Sequence, residues 1–325
     1  MSTDRSLVLK ACYQFYRRGL SQTEIAGNLR LSRFQVARLL RAGLEDGYVT
    51  VKILEPASWH PELERTIEER YGLNAVIVVD NDGLDDDEIK RRVADAAGRY
   101  LVDVLADGDV LGVSLGSTVE AFVDQLPDRI RKDVDVVQLI GGSSRTESEV
   151  NSMTLAAQLA RRFRSRPHLL FAPAVVSDGD LRRSLLADEA IQATFAMFRR
   201  LTIAVLGIGA LAHGGMSRLV YSGIVDERQL VKLLARGAVG DILSYVYEAE
   251  GSALAGGVED RLIAIGLDDL LQVPHRIAVA AGRAKARAIT GALRGGFVNV
   301  LVTDREAAAA ICAEAEKAGV AKATV

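Results

Sequence analysis

Two groups of side chains in this sequence have types and spacing that suit chemistry, and both suit the recognition of phosphate-bearing partners. The first is Arg33, Gln35, Arg38 and Arg41 within the apolar-periodic stretch Ser32–Glu45. A guanidinium can donate two hydrogen bonds to guanine in the major groove, and a carboxamide can make the equivalent pair with adenine. The second is a set of glycine-containing loops: Ser114-Leu-Gly-Ser-Thr118, Gly141-Gly142-Ser143-Ser144 and Gly207-Ile-Gly209, each following an apolar run. Glycine lets backbone amides approach an oxygen closely, and the hydroxyls of Ser117 and Thr118 fall in the first turn of the helix that follows. Gly116, Ser117 and Thr118 are therefore candidate phosphate ligands. Gly141 and Gly142 form a second loop of the same kind, with Arg145 and Asn151 just beyond. Lys285, in Gly282-Arg-Ala-Lys285, follows another apolar run; it either directs its ammonium at a bound phosphate or is a solvated helix lysine.

The basic group needs a helix that projects it. Ser21-Gln-Thr-Glu24 reads as a capping box, and Ser32 as a second N-cap. Ile25, Ala26 and Leu29 recur at helical spacing after the first cap, and Val36, Leu39 and Leu40 after the second. Only Leu29, Arg30 and Leu31 separate the two, which predicts a helix-turn-helix with the arginines on its outer face. The alternative is a helical hairpin with a solvated basic face. Ser6–Arg18 is expected to be a further helix packing behind the pair. Tyr48–Leu54, rich in β-branched residues after Gly47, is expected to be a wing strand.

The glycine loops need a sheet. From Pro61 onward helical stretches alternate with short apolar runs: 75–79, 110–114, 134–140, 169–172, 201–206, 277–281 and 298–303. Alternation of this kind predicts a parallel sheet flanked by helices, with ligands beyond the carboxyl ends of the strands. Ile242–Leu254 reads as a hairpin inserted into that pattern, with Val258–Ile265 as a pairing partner. The two-proline segment Glu55–Pro61 divides the chain into a small domain over 1–54, a linker over 55–61 and a large α/β domain over 62–325. Trp59 either anchors that linker or is half-exposed.

Composition agrees with two domains and two partners. The 325 residues are 49% hydrophobic with a net charge of −3. Residues 1–54 carry nine Lys or Arg against four Asp or Glu, a local charge of +5, so the remainder carries −8. A basic module beside an acidic body is the asymmetry expected when only the module meets nucleic acid. The absence of a membrane-length apolar run or signal-peptide pattern gives a cytoplasmic expectation. Cys12 and Cys312 are too far apart in sequence to suggest a disulfide framework or thiolate metal site. The four histidines are isolated, so no metal or other cofactor is expected.

The residues Gln22, Ile25, Ala26, Leu29, Leu31, Ser32, Arg33, Val36, Arg38, Leu39, Leu40, Gly47 and Val49 resemble the N-terminal module of the SorC family of bacterial transcriptional regulators. Many members have Gly where this chain has Arg30, so here the turn is made without glycine. The ordered loops Ser114–Thr118, Gly141-Gly142, Gly207-Ile-Gly209, Gly240-Asp241-Ile242, Gly282–Lys285 and Ala292–Gly296, through Val300–Asp304, are similar to that family's effector domain. The resemblance implies an α/β fold related to sugar-phosphate isomerases and deaminases, a phosphorylated sugar or polyol effector, and a homo-oligomer, a tetramer, on operator DNA. Ser21, Gln22 and Ser32 join Arg33, Gln35, Arg38 and Arg41 as candidate DNA contacts, Ser32 and Arg33 first; by position the resemblance assigns phosphate to Gly116, Ser117 and Thr118, hydroxyl contacts to Asn151 and Asp241, and charge neutralisation to Lys285. The competing expectation, from fold alone, is a sugar-phosphate isomerase- or deaminase-like enzyme. No clustered carboxylate pair, nucleophile elbow or Walker loop supports it.

Overall fold

In the computed structural model, which describes residues 5–50, 59–142, 151–211, 218–255 and 258–322, the chain divides into two compact units, Met1–Pro56 and Ala57–Val325.

The first unit holds α1 (Arg5–Cys12), α2 (Gln22–Leu29) and α3 (Arg33–Glu45). Both expected caps form reciprocal boxes. Glu24 N donates to Ser21 Oγ while Ser21 N donates to Glu24 Oε2, and Ser32 and Gln35 repeat the arrangement. The Ser21 amide and hydroxyl hold the Glu24 carboxyl below its ordinary range. The box is thus intact at neutral pH and weakens as acid titrates Glu24 through that lowered value.

Arg30 closes α2 in the left-handed conformation (φ 53°, ψ 46°), with the Leu31 amide returning to Ala26 O. This is a Schellman-type closure made without the glycine that spares the Cβ strain. Arg30→Gly is therefore expected to stabilise the unit by about 1 kcal/mol. Calorimetric unfolding of the full chain measures this, and an unchanged or lower first transition contradicts it.

Val8, Ala11 and Cys12 meet Ile25, Val36, Leu39 and Leu40 in one small core. The expected helix over Ser6–Arg18 changes at Tyr13–Arg17 into a single π-helical turn. Contact between α1 and α3 is so close that a Cβ on Gly43 would overlap Cys12 Sγ. The wing strand is not found at Tyr48–Thr50, which are irregular, and positions 51–54 lie outside the described residues.

The second unit opens with α4 (Pro61–Tyr71), ended by Gly72 at φ 66°. Its strands are β1 (Ala75–Val79), β2 (Asp109–Val113), β3 (Val134–Gln138), β4 (Pro167–His168), β5 (Ile203–Leu206), β6 (Gly209–Ala210), β7 (Ala238–Ile242), β8 (Tyr245–Glu248), β9 (His275–Val279) and β10 (Val300–Asp304). Seven of them form a parallel sheet in the order β1-β10-β9-β5-β2-β3-β4. Neighbouring strand residues point to opposite faces and both faces are buried, which is why each strand reads as an unbroken apolar run. Leu111, Val113, Val136 and Val205 face the helices α5 (Asp86–Val104), α6 (Ser117–Gln125) and α7 (Ser152–Phe163). Val110, Val137 and Leu206 face the opposite core, which contains the β7–β8 hairpin and the helix Ala286–Arg294. At the β1 edge, the outward amides of Val76 and Val78 donate to Glu68 Oε1 and Glu64 Oε1 of α4, at 2.8 and 2.9 Å.

Three strand expectations change. The run 169–172 is not a strand; β4 precedes it. The buried Gln138 side chain takes over there, accepting from Leu170 N at 2.9 Å and donating to Ile140 O and Ser152 Oγ. The hairpin begins at Ala238 rather than Ile242, with Leu243-Ser244 as its two-residue turn. Val258–Ile265 does not pair with it: Leu262 bridges Val175 and Ala264 bridges Ile140.

Candidate functional site

In this sheet the chain leaves β2 toward β3 on one side, whereas β5 lies against β2 on the other. That reversal opens a crevice at the carboxyl ends of β2 and β5, the place where open α/β sheets bind ligands. Two glycine loops meet there. Gly207 N donates to Ser114 Oγ at 3.0 Å, and Ser114 N donates to Val205 O.

A cavity of about 350 Å³ occupies this crevice, and its lining includes Gly116, Ser117, Thr118, Gly207, Gly209, Ser222, Asp241, Leu243, Ser244 and Lys285. The volume falls in the range of small-molecule sites, about 300–1,000 Å³. The structure thus brings together five expected effector residues: Gly116, Ser117, Thr118, Asp241 and Lys285. Gly116 is the N-cap of α6 and has no side chain with which to cap the first turn, and a helix N-terminus carries a partial positive charge.

Asp241 is placed by the hairpin. It pairs with Gly209, where a Cβ would overlap the Asp241 carboxylate, so glycine is what admits the side chain. The hairpin is pinned in turn by Tyr247, which is fully buried and donates to Ala288 O at 3.0 Å. Burial pushes its hydroxyl well above the ordinary phenol value, so it remains a donor. At the tip, Leu243 (φ 51°) and Ser244 (φ 70°) both adopt positive φ, as a two-residue hairpin turn requires, without glycine or asparagine. Non-glycine residues held this way persist only where surrounding structure enforces them, and they cluster at binding sites. Both line the cavity.

Sequence reasoning missed Ser222, Leu243 and Ser244; at the hairpin tip neither glycine nor asparagine marks the positive-φ turn. Other expectations do not converge here. Gly141 and Gly142 do not line the cavity: Gly141 N donates to Ile263 O, Gly142 N to Ala172 O, and Ser152 Oγ to Gly141 O. Asn151 is likewise absent from the lining and caps α7, accepting from Met153 N. Arg145 lies outside the described residues.

In the first unit α3 buries Val36, Leu39, Leu40 and Gly43 and exposes Arg33, Gln35, Arg38 and Arg41; Ser21 and Ser32 are exposed and Gln22 is half-buried. Gln35 also closes the second cap: its Oε1 accepts from Ser32 N at 2.8 Å, which occupies one of the two acceptor positions of that oxygen.

The chain thus joins a large α/β domain, with a crevice at the carboxyl ends of β2 and β5, to a small basic helical unit. A family model describing a sugar-binding domain matches residues 56–313. The deoxyribonucleoside regulator of Bacillus subtilis (strain 168) is 32% identical over 307 residues, spanning 94% of this chain and 97% of that protein. The sorbitol operon regulator of Klebsiella pneumoniae is 31% identical over 311 residues, spanning 94% and 98%. The crystal structure of the full-length sorbitol operon regulator SorC from Klebsiella pneumoniae matches with a TM-score of 0.74 at 29% identity, covering 96% of this chain and 100% of that one. The chain belongs to the SorC family of transcriptional regulators with this sugar-binding domain.

Proposed function

We propose that the protein is a DNA-binding regulator of carbohydrate or polyol metabolism whose operator affinity is set by a phosphorylated sugar in the crevice. The observation that carries this reading is the convergence of the α6 N-terminus, Lys285 and Asp241 on the lining of one cavity of about 350 Å³. A helix N-terminus and a cation suit a phosphate. A carboxylate with nearby hydroxyls of Ser222 and Ser244 suits the hydroxyl groups of a sugar. The α3 arginines then meet a pseudo-palindromic operator, with the protein acting in the cytoplasm as a homo-oligomer, a tetramer. A coupling free energy of about 1–3 kcal/mol is sufficient for a 5- to 150-fold change in operator affinity.

Fluorescence anisotropy of a duplex from the gene's own upstream region, with and without a pool of phosphorylated sugars and polyols, tests the proposal. Tight binding altered by the pool supports it; binding no stronger than to random DNA, with turnover of a pool member, overturns it in favour of an enzyme. Within the same assay Arg33→Ala is expected to lose about 1–3 kcal/mol on the selected duplex and little on random DNA. Equal losses on both would reassign Arg33 to phosphate contact.

A further inference from the structure

Phe34 is 89% exposed, more than any other large apolar side chain among the described residues; the next, Phe171, is 67% exposed. A single exposed apolar residue is ordinary on a protein surface. The position of this one is not, because it stands in the first turn of α3 in the middle of the basic face. Arg38 and Arg41 follow it at i+4 and i+7, which places all three on one side of the helix, away from buried Val36, Leu39, Leu40 and Gly43. Arg33 adjoins it. Guanidinium groups only donate hydrogen bonds, so on base edges they read acceptors such as guanine O6 and N7. Gln35, the other side chain of this turn suited to a base edge, is engaged in the Ser32 cap through its Oε1. The apolar feature of the major groove is the thymine C5-methyl group, and an aromatic side chain is among those that contact it.

We infer that Phe34 is a specificity residue that packs on a thymine methyl group in the major groove, burying there the surface it exposes in the free protein. This rests on the DNA-binding reading above. The face it shares with three arginines supplies the charge complementarity that brings it to the groove.

The test uses full-length protein and a duplex enriched from a random-sequence library on it, resynthesised with deoxyuridine in place of each thymidine in turn. Uracil keeps every hydrogen-bonding group of thymine and lacks only the methyl. Substitution at one position of each half-site is expected to weaken wild-type binding about fivefold, the worth of roughly one buried methyl. Phe34→Ala is expected to bind the thymine and uracil duplexes equally, with the far-ultraviolet circular dichroism of the wild type. The inference is overturned if wild-type protein tolerates uracil at every position, if the enriched duplex has no thymine, or if Phe34→Ala keeps the uracil penalty. If no sequence is enriched over random DNA, the DNA-binding reading itself fails, and the inference with it.

Discussion

Ser117→Asp is expected to abolish the response to phosphorylated sugars while leaving operator binding unchanged in their absence. Ser117 is exposed at the first position of α6, so the new side chain is accommodated without repacking, and a carboxylate there suits the helix dipole. It then competes with the ligand for the same positive helix end. Two unit charges about 5 Å apart at an effective dielectric near 20 repel by about 3 kcal/mol, which is more than 100-fold in affinity. Ser117→Asn, close in size and uncharged, is expected to keep most of the response. Titrating the protein–DNA complex with the sugar phosphates separates the two variants; a normal response from Ser117→Asp moves the anion site elsewhere. Thr118 makes a poorer test because it is buried, so an acidic side chain there disturbs packing as well as charge.

Gly43→Ala is expected to unfold the N-terminal unit near physiological temperature. The added methyl overlaps Cys12 Sγ where α1 packs against α3. Overpacking costs about 1–3 kcal/mol. A unit of this size has only about 3–8 kcal/mol in total, by the usual stability per residue. The expected fall in its melting temperature is about 10 °C or more. Removing the obstructing sulfur reverses this: with Cys12→Ala the remaining neighbours of the new Cβ are Val8 Cγ1 at 3.5 Å and Val49 Cγ2 at 3.8 Å, ordinary contacts. Calorimetry of the single and double variants provides the check, and a double variant no more stable than Gly43→Ala alone would contradict the packing argument.

These two positions illustrate what the sequence makes legible. Ser117 is a candidate site residue in the sequence because strand, glycine and hydroxyls are adjacent in the chain, and local order of that kind survives folding, which places it on the cavity lining. The capping box at Ser21–Glu24, the second cap at Ser32 and the parallel sheet are readable for the same reason. The Gly43–Cys12 contact was not, since it joins residues of different helices and neither carries a local signal. The role of the Gln138 side chain is hidden for a related reason. In sequence it is one more residue of a strand, but its buried carboxamide replaces backbone partners and ends the pairing that Leu169–Ala172 was expected to continue. The hairpin tip at Leu243-Ser244 escaped notice because its positive φ values are imposed by its surroundings rather than by glycine.

The two carboxylates of α4 that take the Val76 and Val78 amides have a consequence for how copies of this protein can meet. An open sheet edge invites another chain to add a strand, the route to uncontrolled polymerisation. Here one edge has its outward donors already engaged by side chains of the same unit, and the strand at the other edge, β4, is two residues long. Addition of a strand is therefore disfavoured at both ends of the seven-stranded sheet. If copies of the chain associate, these edges favour contact through side-chain surfaces, where shape and charge fix the number of copies, over extension of this sheet's backbone ladder.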